Sequence, residues 1–535
     1  MQLNGFYRID DSSKDSKDGS QTRLNKNHRI KLKISDNMKT RVRSYIRSLL
    51  IMTALLICGI SGSFSQSGLT LEQALTVAET NSPSMMRTRL SLIRSQENLN
   101  AQNAALKSSF SLTVNPIGYS QNRAFNDLIS KWNTTRTTES YGLFTISQPI
   151  VLTDARLSLV NRFGYKDSYS EYTNQTSKGF SNNLSLNLDQ PLFTYNRTKM
   201  QLQQLELALE NSQLNYAIQL LALERQVAQA FYYVYQQQQS LEISNQAYMN
   251  MQQSYNVIKI KVDAGISARE EMFQAELNLS TTRSDYENKQ VSLENAKDDF
   301  KILIGMSLYD DFIVLPDISV DTVHIDIAFA IDQGLSSRME LRQRAISIEN
   351  SEFELIQTKS LNEFRGSLGL SVGLFGDNEK FGNVYQNPTD NESVSLSLTI
   401  PLWDWGERKS RIRATEASIQ TANISLEEEQ NNIILSVRKV YRNLQNLQNQ
   451  IEIARQSVIN AQLTYDLNLE KYKNGDLTGM DLNIYQNQLS ERQLAYTNSL
   501  ISYKLELLNL KIQTLYDFEK NEPVSPVMSI ERNNI

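Results

Sequence analysis

Two stretches of this chain, from Asn196 to Gly265 and from Glu407 to Gly475, contain no internal proline or glycine. Both end on a glycine, and the two glycines lie 210 positions apart. Pro191-Leu192-Phe193 and Pro401-Leu402-Trp403 precede the stretches at the same spacing, so no gap is needed between them. Val227 and Val437, Phe231 and Tyr441, Val234 and Leu444, Leu241 and Ile451, and Tyr255 and Tyr465 fall on that offset too. The chain therefore reads as a tandem duplication. About 68 residues in one α-helix run roughly 100 Å at 1.5 Å per residue, a length no ordinary globular domain needs.

The apolar spacing says what such helices pack against. Val437, Val440, Leu444, Leu447, Ile451, Ala454, Val458, Ala461 and Tyr465 recur in steps of three and four, break at Asn468 and resume at Tyr472. That is a coiled-coil seam. Its counterpart runs from Leu223 through Val227, Val234, Tyr248 and Tyr255 to Val262, with Gln237 and Ser244 interrupting it. Helical periodicity returns after each glycine, through Met272, Leu279 and Leu293 or Leu482, Tyr485 and Leu489, so Gly265 and Gly475 are expected to be hairpin tips. Each unit opens with a further expected helix, from Thr70 to about Lys107 and from Ile325 to about Leu361.

Four segments alternate with period two instead. Phe110, Leu112 and Val114 alternate with Ser109, Ser111 and Thr113; Leu184, Leu186 and Leu188 alternate with Ser185 and Asn187. Leu368, Leu370, Val372 and Leu374 alternate with Gly369, Ser371 and Gly373; Val394, Leu396, Leu398 and Ile400 alternate with Ser395, Ser397 and Thr399. A half-buried sheet in a soluble domain shows this pattern, and so do tilted strands of a membrane barrel with lipid on one side and water on the other. Aromatic residues at the strand exits, Phe193, Tyr195, Trp403 and Trp405, favour the barrel because such rings collect at membrane interfaces. The first unit carries about 44 more residues between its strands than the second. Within the excess, Tyr141 to Pro149 and Arg156 to Tyr165 are expected to form a hairpin that elaborates an outer loop.

Composition excludes several chemistries. Cys58 is the only cysteine and lies in an apolar run near the N-terminus; His28 and His324 are the only histidines. Thiolate catalysis, disulfides and His-ligated metal centres lose their raw material, and no cofactor is expected. The first 65 residues hold 12 Lys and Arg against 5 Asp and Glu, which leaves the remainder at −12, a poor surface for nucleic acid. Arg41, Arg43 and Arg47, the apolar stretch Leu49 to Ile60 and Ser63-Phe64-Ser65 form an export signal that would leave Gln66 as the first mature residue. Ile57 stands where a lipobox before Cys58 would need a small residue. Residues 38–65 are thus the expected signal, and 1–37 an over-extended start ahead of Met38 or a disordered extension. Residues 66–315 form the first repeat, 316–520 the second and 521–535 a tail.

Leu69-Thr70-Leu71-Glu72-Gln73-Ala74-Leu75 followed by Asn81-Ser82-Pro83 resembles the opening of outer-membrane efflux proteins of the TolC type. The Pro-Leu-aromatic strand exits and the turn Tyr472-Lys473-Asn474-Gly475 resemble their later motifs, and the similarity runs from about Leu69 to about Phe518. The resemblance implies a mixed α and β fold: a homotrimer whose protomers each give four strands to a twelve-stranded barrel, continued by a helical coiled-coil tunnel. Gly265 and Gly475 would meet a periplasmic adaptor, and an inner-membrane pump of the RND or ABC type would supply energy. Outer-membrane lipid would surround the barrel. Glu271 and Tyr472 resemble the pair that latches the closed tunnel, and Asp481 matches an aspartate of its constriction. Leu477 and Ile484 depart from the family pattern, where a basic residue and a second aspartate stand.

Plainer readings of the same residues remain open. Glu270, Glu271 and Asp481 occupy first turns of helices, where carboxylates are favoured by about 0.3 to 1 kcal/mol without any gate. Tyr472 also continues the heptad. The rival functions are a secreted helical structural or adhesive protein without a barrel, and an exported hydrolase, against which the scarcity of histidine argues.

Overall fold

The computed structural model of the chain describes residues 67–127, 130–319 and 323–524. The expected signal, Met38, Cys58, His28, Gln66 and most of the tail lie outside them. The chain divides between Ser67 and Gly68, and the elements below belong to the larger unit.

Its first helices, α1 (Leu71–Asn81) and α2 (Pro83–Ala105), lie where the sequence leads one to expect a single helix. Thr70 and Gln73 form a capping box at the start of α1. Pro83 then forces the break, because the residue before proline is driven out of the helical region, and Ser82 is extended at φ −60°, ψ 130°. Four strands follow: β1 (Ser109–Asn126), β2 (Lys131–Ile150), β3 (Ala155–Ser170) and β4 (Gln175–Leu192). The first long hairpin is α3 (Arg197–Asp263, 67 residues) and α4 (Arg269–Ile304, 36 residues). After a linker come α5 (Ile327–Ser337) and α6 (Met339–Lys359), divided at Arg338, and strands β5 (Arg365–Asn378) and β6 (Thr389–Thr399). The second long hairpin is α7 (Glu407–Asn474, 68 residues) and α8 (Gly479–Thr514, 36 residues).

All six strands lie in one antiparallel sheet, in the order β1-β2-β3-β4-β5-β6. This corrects the expectation of four. The segments expected to form an outer-loop hairpin are inside β2 and β3, and they separate β1 from β4. Register explains why they belong there. Ile146 stands opposite Leu159, Leu159 opposite Leu186, and Leu186 opposite Val372, so one apolar row crosses four strands. The other face is mostly small and polar: Ser147, Ser158, Asn187 and Ser371 are aligned, and the Ser371 hydroxyl donates to Asn187 at 2.6 Å. A bulge between Asn115 and Gly118 adds a residue to β1 and keeps Tyr119 on the face of Val114. Leu112, Val394 and Leu396 on the apolar face are 66%, 76% and 61% exposed, which a sheet surrounded by water would not sustain as a continuous patch.

The core sits among the helices. Val227, Phe231, Val234, Phe300 and Ile304 pack with Ala74 and Ala78 of α1 and with the short strand Phe312–Val314. The second hairpin has a matching cluster, in which Val437, Val440, Leu444, Tyr503, Leu507 and Leu510 surround Ala330 of α5. The small residues let α1 and α5 sit close against the long helices. No described helix is long and apolar enough to cross a membrane.

Candidate functional site: hairpin tips and strand exits

Both long hairpins turn by the same backbone device. At the first tip the Ile266 amide donates to the Lys261 carbonyl at 2.8 Å and the Gly265 amide to Val262 at 3.0 Å. At the second the Asp476 amide donates to Lys471 at 2.9 Å and the Gly475 amide to Tyr472 at 3.1 Å. These are Schellman motifs, which need a left-handed residue at the turn. Gly265 and Gly475 supply it, with φ of 74° and 90°. A Cβ at either position would meet nothing within 4 Å, so the need for glycine is conformational and not steric.

Below the turns the two hairpins share one apolar cluster. Ile258, Ala275, Tyr465, Tyr472, Leu482 and Leu489 are buried together, and Leu477 packs against them. The residue that departs from the family's basic position therefore serves as tip packing. Tyr472 is only 6% exposed; its hydroxyl donates to the Ser254 carbonyl at 3.4 Å, and the Lys261 ammonium lies 5.5 Å from its ring centroid. Burial pushes the Tyr472 hydroxyl above the ordinary tyrosine value, with the Glu271 carboxylate adding to the rise against the Ser254 hydrogen bond. Glu271 is thus a neighbour of Tyr472, but it is exposed, and the tyrosine proton goes to Ser254. The two residues are brought together without the hydrogen bond of a latch.

Asp481 occupies the third position of α8. Its amide donates to Thr478 Oγ1 at 3.2 Å, and the Thr478 hydroxyl donates back to Asp481 Oδ2 at 2.6 Å. The carboxylate is part of the helix cap. The matching position in the first repeat has no such cap, because Ala268 stands where Thr478 does. Ile266, Phe273, Met480 and Ile484 leave an apolar surface exposed at the tips.

The aromatic residues Phe193, Tyr195, Trp403 and Trp405 follow the ends of β4 and β6. Phe193, Trp403 and Trp405 are 64%, 74% and 90% exposed, Tyr195 is half-buried, and the two tryptophans meet edge to face at 5.6 Å. Phe193 and Trp405 have φ of 59° and 52°, uncommon for bulky residues, where the backbone swings from strand to helix. Sequence reasoning missed the two aspartates that anchor these exits. Asp404 accepts from the amides of Gly406 at 2.9 Å and Arg408 at 3.1 Å, while Asp154, in the turn between β2 and β3, accepts from Arg197 and Thr198. Asp404, two residues before a glycine, carried a local turn signal. Asp154 carried none, since its partners lie more than forty positions away.

An exposed apolar sheet joined to two very long helical hairpins is the build of a membrane-channel protomer. A sequence profile described as outer membrane efflux protein matches residues 74–305 and 335–511. The chain belongs to the outer membrane efflux protein family, whose members are outer-membrane channels and not enzymes. It is 22% identical over 314 residues to the cation efflux system protein CusC of Escherichia coli, across 57% of this chain and 66% of that one. To the outer membrane efflux protein BepC of Brucella suis it is 21% identical over 277 residues, across 50% of this chain and 58% of that one. The alignments therefore span less than two thirds of those relatives. Among solved structures, the Campylobacter jejuni CmeC outer membrane channel superposes with a TM-score of 0.65 at 14% identity, covering 86% of this chain and 87% of that one. The Vibrio cholerae outer membrane protein VceC gives 0.61 at 14%, covering 83% and 95%.

Proposed function

We propose that this chain is the outer-membrane exit duct of a tripartite efflux or type I secretion system. It acts as a passive channel, opened by a periplasmic adaptor and energised by an inner-membrane pump of the RND or ABC type. The observation that carries the proposal is the pairing of the lipid-suited sheet face with glycine-turned tips more than sixty helical residues away. Three copies close the sheet into a barrel and the hairpins into a tunnel. The nearly equal helix lengths of the two hairpins, 67 and 68 residues followed by 36 in each, and the 210-residue offset of their first residues support an internal duplication behind this geometry.

At the tips, Gly265 and Gly475 with the exposed apolar residues around them form the adaptor contact. Glu271, Tyr472 and Asp481 form the constriction when copies converge. The experiment is deletion of the gene followed by complementation, with export of the cognate cargo and the cross-linked state of the purified protein measured together. Restored export and a trimeric ladder are expected; a monomeric product with unaffected export would leave the secreted structural protein as the better reading.

A further inference from the structure

The two strands beyond the expected four sit in the middle of the sheet, and we infer that they form part of the barrel wall, so that three copies enclose eighteen strands and not twelve. The inference rests on the trimeric channel reading above. Its observations are independent of that reading.

First, β2 and β3 cannot be lifted away without breaking the sheet, because β1 pairs only with β2, and β4 pairs with β3 and β5. Second, both strands continue the wall's alternation. Phe144, Ile146, Leu157 and Leu159 stand on the apolar face, and Thr145, Ser147 and Ser158 on the polar one. Third, the turn joining them lies at the helix end of the sheet and is fastened there. Asp154 accepts from the first backbone amides of α3, and the Asn196 side-chain Nδ2 donates to the Val151 carbonyl at 2.6 Å. An outer-loop ornament would have no reason to reach that level.

The edges indicate the occupant. β1 and β6 are left with one unpaired side each, over 18 and 11 residues, and nearly every residue in them is exposed. Such edges pair with another chain or are blunted; Pro116 and the bulge beside it interrupt β1 only at its middle, and Asp390 and Glu392 lie at one end of β6, which leaves residues 109–115 and 393–399 as unbroken edges at the helix end of the sheet. With six antiparallel strands, β1 and β6 run in opposite senses, so β6 of one copy beside β1 of the next continues the antiparallel pattern. A ring of copies then closes without an edge.

Barrel diameter grows roughly linearly with strand number, so the lumen would be about half as wide again as with twelve strands. The added strands also bring charge to the middle of the polar face, where β4 and β5 carry charge only toward their ends, at Asp189, Arg365 and Asp377. Arg162 pairs with Glu139 at 3.1 Å and lies 4.1 Å from the Tyr141 ring centroid, and Lys166 is opposite Glu139. The structure assigns this cluster to the lumen, where it would line a wide aqueous exit for hydrated cargo.

The test uses the protein in outer membranes; no cysteine follows Gln66, so introduced thiols are read without background. Phe144→Cys and Leu159→Cys should lose labelling by a membrane-impermeant maleimide, while Thr145→Cys and Ser158→Cys should be labelled through the lumen. A Ser158→Cys, Asn187→Cys pair, directly opposite in register, should form an intrachain disulfide. Labelling of both faces alike, or no disulfide, in a protein that still cross-links as a trimer would overturn the wall assignment alone. Absence of a trimer in the unsubstituted protein would overturn the channel reading with it.

Discussion

Asp154 accepts a hydrogen bond from the Thr198 amide at 3.1 Å, and a second from the Thr198 hydroxyl, so a turn of the sheet caps the longest helix of the first repeat. Asp404 does the same for α7 from a position just ahead of it, accepting from Arg408. The residue 210 positions before Asp404 is Thr194, which carries no carboxylate. The first repeat therefore borrows from the β2–β3 turn a charge that the second repeat carries locally.

Asp154→Ala should cost about 1 kcal/mol, the usual loss for a helix cap. Hydrogen exchange should locate the damage, with faster exchange at Arg197 and Thr198 and little change at the far tips.

The Asp404 cap should depend on acid. Hydrogen bonds from the Gly406 and Arg408 amides hold its carboxyl below the usual aspartate value. A depressed folded value means the contribution is complete above the unfolded aspartate pKa and is lost as pH falls through the folded one. Protection of the Arg408 amide, taken relative to its intrinsic exchange rate at each pH, should hold at neutral pH and fall only in that acidic window. Because the group is exposed, salt should weaken the effect.

Gly475→Val should abolish export while leaving trimer assembly and outer-membrane location intact. Nothing crowds the site, so the penalty is that of a β-branched residue at positive φ. Gly475→Asn should keep much of the function, because asparagine tolerates the left-handed region. Unimpaired export by the valine variant would remove the tips from the mechanism.

Asp481→Asn retains an oxygen for the Thr478 hydroxyl and removes only charge. Thermal stability should therefore change by less than about 0.5 kcal/mol, as for a conservative change at a satisfied cap. In planar bilayers, cation preference and block by multivalent cations should both fall if three copies ring the axis. Unchanged selectivity would reduce Asp481 to a capping residue.

Arginine at Leu186, Leu370 or Leu398 should cost ~2 to 4 kcal/mol near the bilayer midplane and impair insertion. At Ser185 or Ser397, on the opposite face, it should be better tolerated. Equal tolerance on both faces would mean the sheet does not lie in lipid.

What the sequence by itself determined is local. Uninterrupted helix needs only the absence of Pro and Gly, a seam needs only its spacing, and a Schellman turn needs one residue able to take positive φ. The long helices, the tips at Gly265 and Gly475, and the aromatic exits were legible for that reason. Alternation likewise marked β1, β4, β5 and β6, because each strand shows its two faces within a few residues. Tertiary structure decided the rest. In β2 and β3 the alternation is diluted by Gly142 and Asn161 on the apolar face and Leu143 and Val160 on the polar one, and only their neighbours in the sheet fix which face each residue joins. The same is true of Asp154, whose partners are distant in sequence, and of Tyr472, whose hydroxyl finds Ser254 across the two hairpins. Periodicity names an element; pairing between distant segments, which costs chain entropy and must be repaid by contacts, places it.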